Sequence, residues 1–117
     1  MPKLNSPKIP PHSDEVEESV LGAILIDKDA IAAVASILKP EFFYNDRNAL
    51  IFKAALSLYE KRRPIDLVTL TEALRKKSGP ASRQGGLRQA GGAAYLSKLT
   101  NKVPTAANIE EYAQIVK

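Results

Sequence analysis

Apolar positions along the chain recur mostly at spacings of three and four, the period of helices packed on one side. From about Ser13, the residues Val16, Val20, Ala23 and Ile24 share one such face. Asp14 and Glu17 have capping-box spacing, in which each side chain satisfies a free amide of the first turn. A second helix opens at Asp27 or Asp29, carries Ile31, Val34 and Leu38, and is limited by Pro40. A third starts at a cap on Asn45 or Asp46, aligns Ala49, Phe52, Leu56 and Tyr59, and ends in the basic run before Pro64. Val68 and Thr69 open a fourth, with Thr69 and Glu72 as a second capping box and Leu70, Ala73 and Leu74 facing inward. Ser78 to Gly92 is polar and glycine-rich and reads as a loop. A fifth helix then carries Tyr95, Leu96 and Leu99, and Val103-Pro104 breaks it. Thr105 caps a sixth, with Ile109, Tyr112, Ala113 and Val116. No two β-rich runs flank a hairpin turn, so the pattern predicts an all-α fold of about six helices.

Before the first helix, residues 1–12 hold Pro2, Pro7, Pro10 and Pro11, which remove backbone donors and disfavour helix, so this segment reads as an extended arm. The sixth helix meets no glycine or proline stop, and a helix this short is marginal unless packed or continued. That pattern suggests a chain cut from a longer protein.

Composition narrows the function. An apolar fraction of 44% with 26% charged residues belongs to an ordinary globular domain. Without cysteine, disulfide frameworks and thiolate metal sites are excluded, which fits a reducing cytosol. No apolar run reaches the ~20 residues that span a bilayer, and the first residues lack the apolar stretch of an export signal. The net charge of +4 permits nucleic acid as a partner. The basic runs Lys61-Arg62-Arg63 and Arg75-Lys76-Lys77, however, each close a helix, where cations complement the free carbonyls.

Catalytic chemistry finds little footing. His12 is the only histidine and sits in the proline-rich arm, away from any orienting partner. Glu15, Glu17 and Glu18 crowd a helix start, where capping explains them better than a metal. Gly85-Gly86 and Gly91-Gly92 precede no Gly-Lys pair, so no phosphate loop of that type is present. The helix from Val68 offers Thr71 and Glu72 where a recognition helix would offer base-reading donors, and Glu72 would repel phosphate. Phe42, Phe43, Tyr44, Phe52 and Tyr59 gather at one helix junction and read as packing, not as a stacking platform.

Several stretches in order resemble the N-terminal domain of the DnaB-type replicative helicase family. They are Ile9-Pro-Pro-His-Ser13, Glu15-Val-Glu-Glu-Ser-Val-Leu-Gly22 with Asp27, Phe43-Tyr44 with Ile51-Phe52, and Pro64-Ile-Asp-Leu-Val-Thr-Leu70. Gly91-Gly-Ala-Ala-Tyr-Leu96 and Val103-Pro-Thr-Ala-Ala-Asn108 with Tyr112-Ala113 and Ile115-Val116 complete the series. No single piece is specific, but their order over nearly the whole chain is. Two departures stand out. Asn48 occupies a position where the family usually has histidine, and the segment from Ser78 to Gly92 is longer and richer in glycine than is typical.

The resemblance implies a compact orthogonal helical bundle over residues 13–103, with residues 104–117 as the start of a truncated helical hairpin. It implies an assembly and partner-docking head of a hexamer collar. Its partners would be primase, a helicase loader and other helicase subunits, in a cytoplasmic bacterial replisome. The parent would be an ATP-dependent 5'-3' DNA helicase needing ATP and Mg, with no catalytic, cofactor or metal site in this fragment. For the docking surface the resemblance points to Tyr95; Ile109, Tyr112 and Val116 are the further interface candidates on the last helix, with packing back onto the head as their alternative. The spacing of Tyr95 with Leu99 leaves open that it belongs to the core. The competing reading is a stand-alone helical DNA-binding domain. On the helicase reading, DNA binding by the fragment is expected to be weak or absent.

Overall fold

The computed structural model describes residues 13–76 and 85–117, and among them every regular element is helical. In chain order these are α1 (Ser13–Ile26), α2 (Ala30–Val34), a 3-10 turn (Pro40–Phe42), α3 (Asp46–Glu60), α4 (Leu67–Lys76), α5 (Gly85–Gln89), α6 (Gly92–Leu99) and α7 (Ile109–Val116). The proline-rich arm and the segment 77–84 lie outside the described residues.

α1 is the central element. From Val20 to Leu25 every residue is buried, and α2, α3, α6 and α7 all pack against it. A helix apolar nearly all round is one surrounded by others. At Gly22, a methyl group would overlap the carbonyl oxygen of Leu99. Glycine is therefore what lets the end of α6 lie directly on α1. Phe43 and Phe52 fill the space beside α3, their ring centroids 4.9 Å apart and tilted by 32°.

Packing revises four local expectations. The buried residues of α3 are Asn48, Ile51, Phe52, Ala54, Ala55 and Leu58, whereas Ala49 and Leu56 are half-buried and Tyr59 is exposed. Two stripes of correct period were available, and contact with α1 and α4 selects the one containing Asn48. The fourth helix is capped one turn earlier than Thr69–Glu72 implies. Asp66 Oδ1 accepts the amide of Thr69 at 2.9 Å and Thr69 Oγ1 accepts the amide of Asp66 at 2.9 Å. This is a capping box with an Asp and a Thr in reciprocal roles. Part of the expected loop is helical, because Leu87 and Ala90 are apolar enough to pack α5 against α4 and α6. Thr105 closes only a local turn, accepting the amide of Ala107, and the last helix begins at Ile109.

The turn into α6 follows its chemistry. Gly91 and Gly92 have φ of 100° and 82°, a region that L side chains rarely adopt. At the end of α3, Arg63 N donates to Leu58 O and Arg62 N to Tyr59 O. This is the Schellman pattern, with Arg62 in the left-handed position at φ 59°.

Candidate functional site

The sequence-predicted site residues fall into two groups. Tyr95 is 8% exposed and Ile109 4%, so both are part of the folded core. Of the two roles open to each, contact surface or core, this burial fits the core. Tyr112 and Val116, on the outer part of α7, are half-buried against the same core. α7 itself packs on α1 and α2 through Ile109 and Ala113, so residues 109–116 are integral to the head as folded here.

Tyr95 anchors a polar junction that joins α1, α3 and α6. Its hydroxyl donates to Asn48 Oδ1 at 2.5 Å, with Glu18 Oε2 at 3.3 Å. Asn48, fully buried, turns its amide nitrogen to Glu17 Oε1 at 2.9 Å. Glu17 in turn accepts the backbone amides of Tyr44 at 2.6 Å and Asn45 at 3.3 Å. Glu17 was expected to cap its own helix; it instead caps the N-terminal end of α3, where free amides and the helix dipole both favour a carboxylate. The side chain of Asn45 completes that end by accepting the amide of Arg47 at 2.9 Å.

Charge surrounds the phenol without neutralising it. The Arg47 guanidinium lies 4.1 Å from the centre of the Tyr95 ring, a cation–π contact. Lys102 Nζ holds Glu18 Oε1 at 3.4 Å. Burial, followed by the nearby Glu18 carboxylate, pushes the Tyr95 hydroxyl up to about 12, against an opposing effect of Arg47. The phenol is therefore a fixed neutral donor, and the junction is suited to holding three helices in register. A readable signal existed for Glu17: it lies in line with Val20, Leu21 and Ile24 at helical spacing, a carboxylate on the apolar stripe. Nothing local announced Glu18, Arg47 or Lys102.

The accessible surface near α7 is different in kind. Tyr44 is 64% exposed and Ile115 59%, and between them Val16, Phe42 and Val116 line a shallow depression of about 60 Å³. Three elements far apart in sequence thus form one apolar patch. The exposure of Tyr44 corrects its reading as a packing residue of the aromatic junction, and periodicity passed over Ile115 because it searches for buried faces.

Among the described residues, no group of three or more His, Asp or Glu side chains is placed to hold a metal ion. No described helix is long and apolar enough to cross a membrane.

Comparison with known proteins agrees with this architecture. The replicative DNA helicase DnaB of Geobacillus stearothermophilus is 45% identical over 117 residues, which cover 100% of this chain and 24% of that protein. The chain thus spans about a quarter of the length of that relative. Among solved structures, the N-terminal domain of DnaB helicase from Mycobacterium tuberculosis superposes with a TM-score of 0.81 at 42% identity, covering 92% of this chain and 70% of that one. The N-terminal domain of DnaB helicase from Helicobacter pylori, described with its interactions with primase, gives a TM-score of 0.69 at 27% identity, over 90% of this chain and 76% of that one. Residues 9–117 match the family described as the DnaB-like helicase N terminal domain, and it is to this family that the chain belongs.

Proposed function

We propose that this chain serves as the assembly and partner-docking head of a replicative DNA helicase. The observation that carries the reading is the coincidence of the whole folded head with an N-terminal domain, within about a quarter of a helicase relative's length. The motor then lies elsewhere in a longer polypeptide, an ATP-dependent helicase using ATP and Mg. This chain has no Gly-Lys pair, so a phosphate loop of that type falls outside its 117 residues.

Primase is the first partner, supported by the Helicobacter pylori neighbour. A helicase loader and other helicase subunits in a homohexamer are the further partners, in a cytoplasmic replisome. Docking uses the exposed side of α7, where Tyr112 and Val116 adjoin Ile115 and Tyr44. Residues 104–117 lead into a helical hairpin that supplies much of the contact between neighbouring heads. A stable interface buries about 800 Å² per partner around an apolar centre, more than this patch alone offers. The isolated chain is accordingly a monomer or weak dimer, and its DNA binding is weak and non-specific.

Isothermal titration with the cognate primase tests the reading. Saturable binding that weakens in Ile115→Asp and Tyr44→Ala, both folded by circular dichroism, is expected. No binding of primase to the folded chain overturns the docking role, and unchanged affinity in both variants moves the contact away from this patch.

A further inference from the structure

The two basic runs, separate in sequence, meet across one groove. α3 and α4 pack side by side, and between them lies a groove of about 320 Å³. Half-buried Ala73 from α4 is the accessible apolar part of its floor, above the buried Ala54 and Leu58 of α3; Ser57 and Thr69 also line it, and Lys61, Arg63 and Lys76 stand around its rim. All three cations belong to exposed residues, and among the described residues none of them makes an ion pair. Glu72 is the one carboxylate lining the groove, and it is engaged by Arg75 at 2.7 Å.

The local backbone supplies a second observation. The Schellman turn that ends α3 puts a non-glycine residue, Arg62, at φ 59°. Glycine takes this conformation without the steric cost of a Cβ. The turn nonetheless keeps an arginine there, and its two neighbours, Lys61 and Arg63, both line the groove. Strain held at one site is a reason to ask what that site does.

We propose that the α3–α4 groove is a second docking site, one that binds an acidic, leucine-bearing peptide segment of a partner protein. The site lies apart from the Tyr44–Ile115 patch and does not depend on that patch binding primase. Charge complementarity sets the sign of the partner: three rim cations face solvent around a floor that accepts a small aliphatic side chain. Carboxylates on the segment meet Lys61, Arg63 and Lys76, and an aliphatic side chain rests on Ala73. Recognition of acidic motifs by clustered cations is a recurrent mode of peptide binding. Nucleic acid fits less well. No aromatic side chain lines the groove to stack a base.

The test uses a short fluorescein-labelled peptide of alternating glutamate and leucine, with its glutamine counterpart and an oligo-thymidine strand as comparison probes. Fluorescence anisotropy measures affinity, and amide chemical shifts of the whole chain locate the contact. The glutamate peptide is expected to bind, with shifts concentrated on residues 54–63 and 69–76. The glutamine peptide is expected to bind about tenfold more weakly, as is the glutamate peptide to the triple variant Lys61→Glu, Arg63→Glu, Lys76→Glu. The comparison of peptides on the unaltered chain keeps the test decisive if the triple variant does not fold. Equal affinity for both peptides, shifts centred elsewhere, or tighter binding of oligo-thymidine in the groove would each overturn the proposal. Loss of primase binding to the Tyr44–Ile115 patch leaves these readouts unaffected, so the two readings fail separately.

Discussion

Glu17 Oε1 on α1 lies 2.9 Å from Asn48 Nδ2 on α3, and both residues are buried. The amide's other end accepts from Tyr95 on α6, so one asparagine passes a chain of hydrogen bonds through three helices. A buried network is rigid while every member is satisfied and costly once one is not. Asn48 donates through its amide nitrogen to Glu17 and accepts through its amide oxygen from Tyr95.

Replacing Glu17 with Gln breaks this arrangement, because an amide nitrogen then competes for the space in which Asn48 and two backbone amides donate. The loss is expected to be about 2–4 kcal/mol, the range for disrupting a buried charge-assisted network. Glu15→Gln, on an exposed position of the same helix, should stay within about 0.5 kcal/mol. Urea denaturation of the two variants checks the contrast, and equal midpoints would show that Glu17 does not cap α3.

Asn48→Leu tests the bridge itself. It leaves the Tyr95 hydroxyl and the Glu17 carboxylate each short of a buried partner, at about 1–3 kcal/mol for each unsatisfied group. Asn48→His should cost less, because a neutral imidazole can again donate on one side and accept on the other. Thermal unfolding of both variants ranks them; a leucine variant as stable as the histidine one contradicts the bridging role.

Tyr95 makes a pH-dependent contribution in the alkaline range. Its folded value of about 12 is above the ordinary 10.0 because burial and Glu18 disfavour the phenolate. A raised value means that the folded state holds its proton more tightly than the unfolded state does. The stabilisation is therefore complete below pH 10 and is lost as pH rises through the folded value. Tyr95→Phe removes this loss along with the hydrogen bond. The stability difference between the two proteins should be about 1 kcal/mol near neutrality and should shrink across that window. A difference that stays constant across it would mean that the phenol does not titrate as placed.

Arg62→Gly is expected to stabilise the chain by about 0.5–1 kcal/mol, since glycine relieves the left-handed conformation that closes α3. Arg62→Val should destabilise by more, as a β-branched side chain fits that conformation worst. Guanidinium denaturation decides it, and a destabilised glycine variant would mean that the arginine side chain contributes contacts outweighing its backbone strain.

Gly22→Ala inverts the usual helix preference. Alanine gains about 1 kcal/mol of propensity in a helix interior. Here its methyl meets the carbonyl oxygen of Leu99, and parting α1 from α6 should cost about 1–3 kcal/mol. A net loss in thermal unfolding is expected; a gain would mean that α6 can shift at no cost.

What the sequence determined by itself was local. The spacing of Val20, Ala23 and Ile24, or of Tyr95, Leu96 and Leu99, identifies a helix and its buried side because neighbours three and four apart share a face wherever the helix packs. The glycine pair before α6 marked a turn because backbone sterics act within a residue or two. The ordered motifs named the family, since their order along the chain is itself a sequence property. Tertiary packing decided which of two helical stripes on α3 is inward, and that Glu17 caps a helix 28 residues away. It also brought Tyr44 beside Ile115, and Lys61 and Arg63 onto the same groove as Lys76. These depend on distances between helices. The 3.6-residue period specifies what a helix buries, but not which neighbour lies there to meet it.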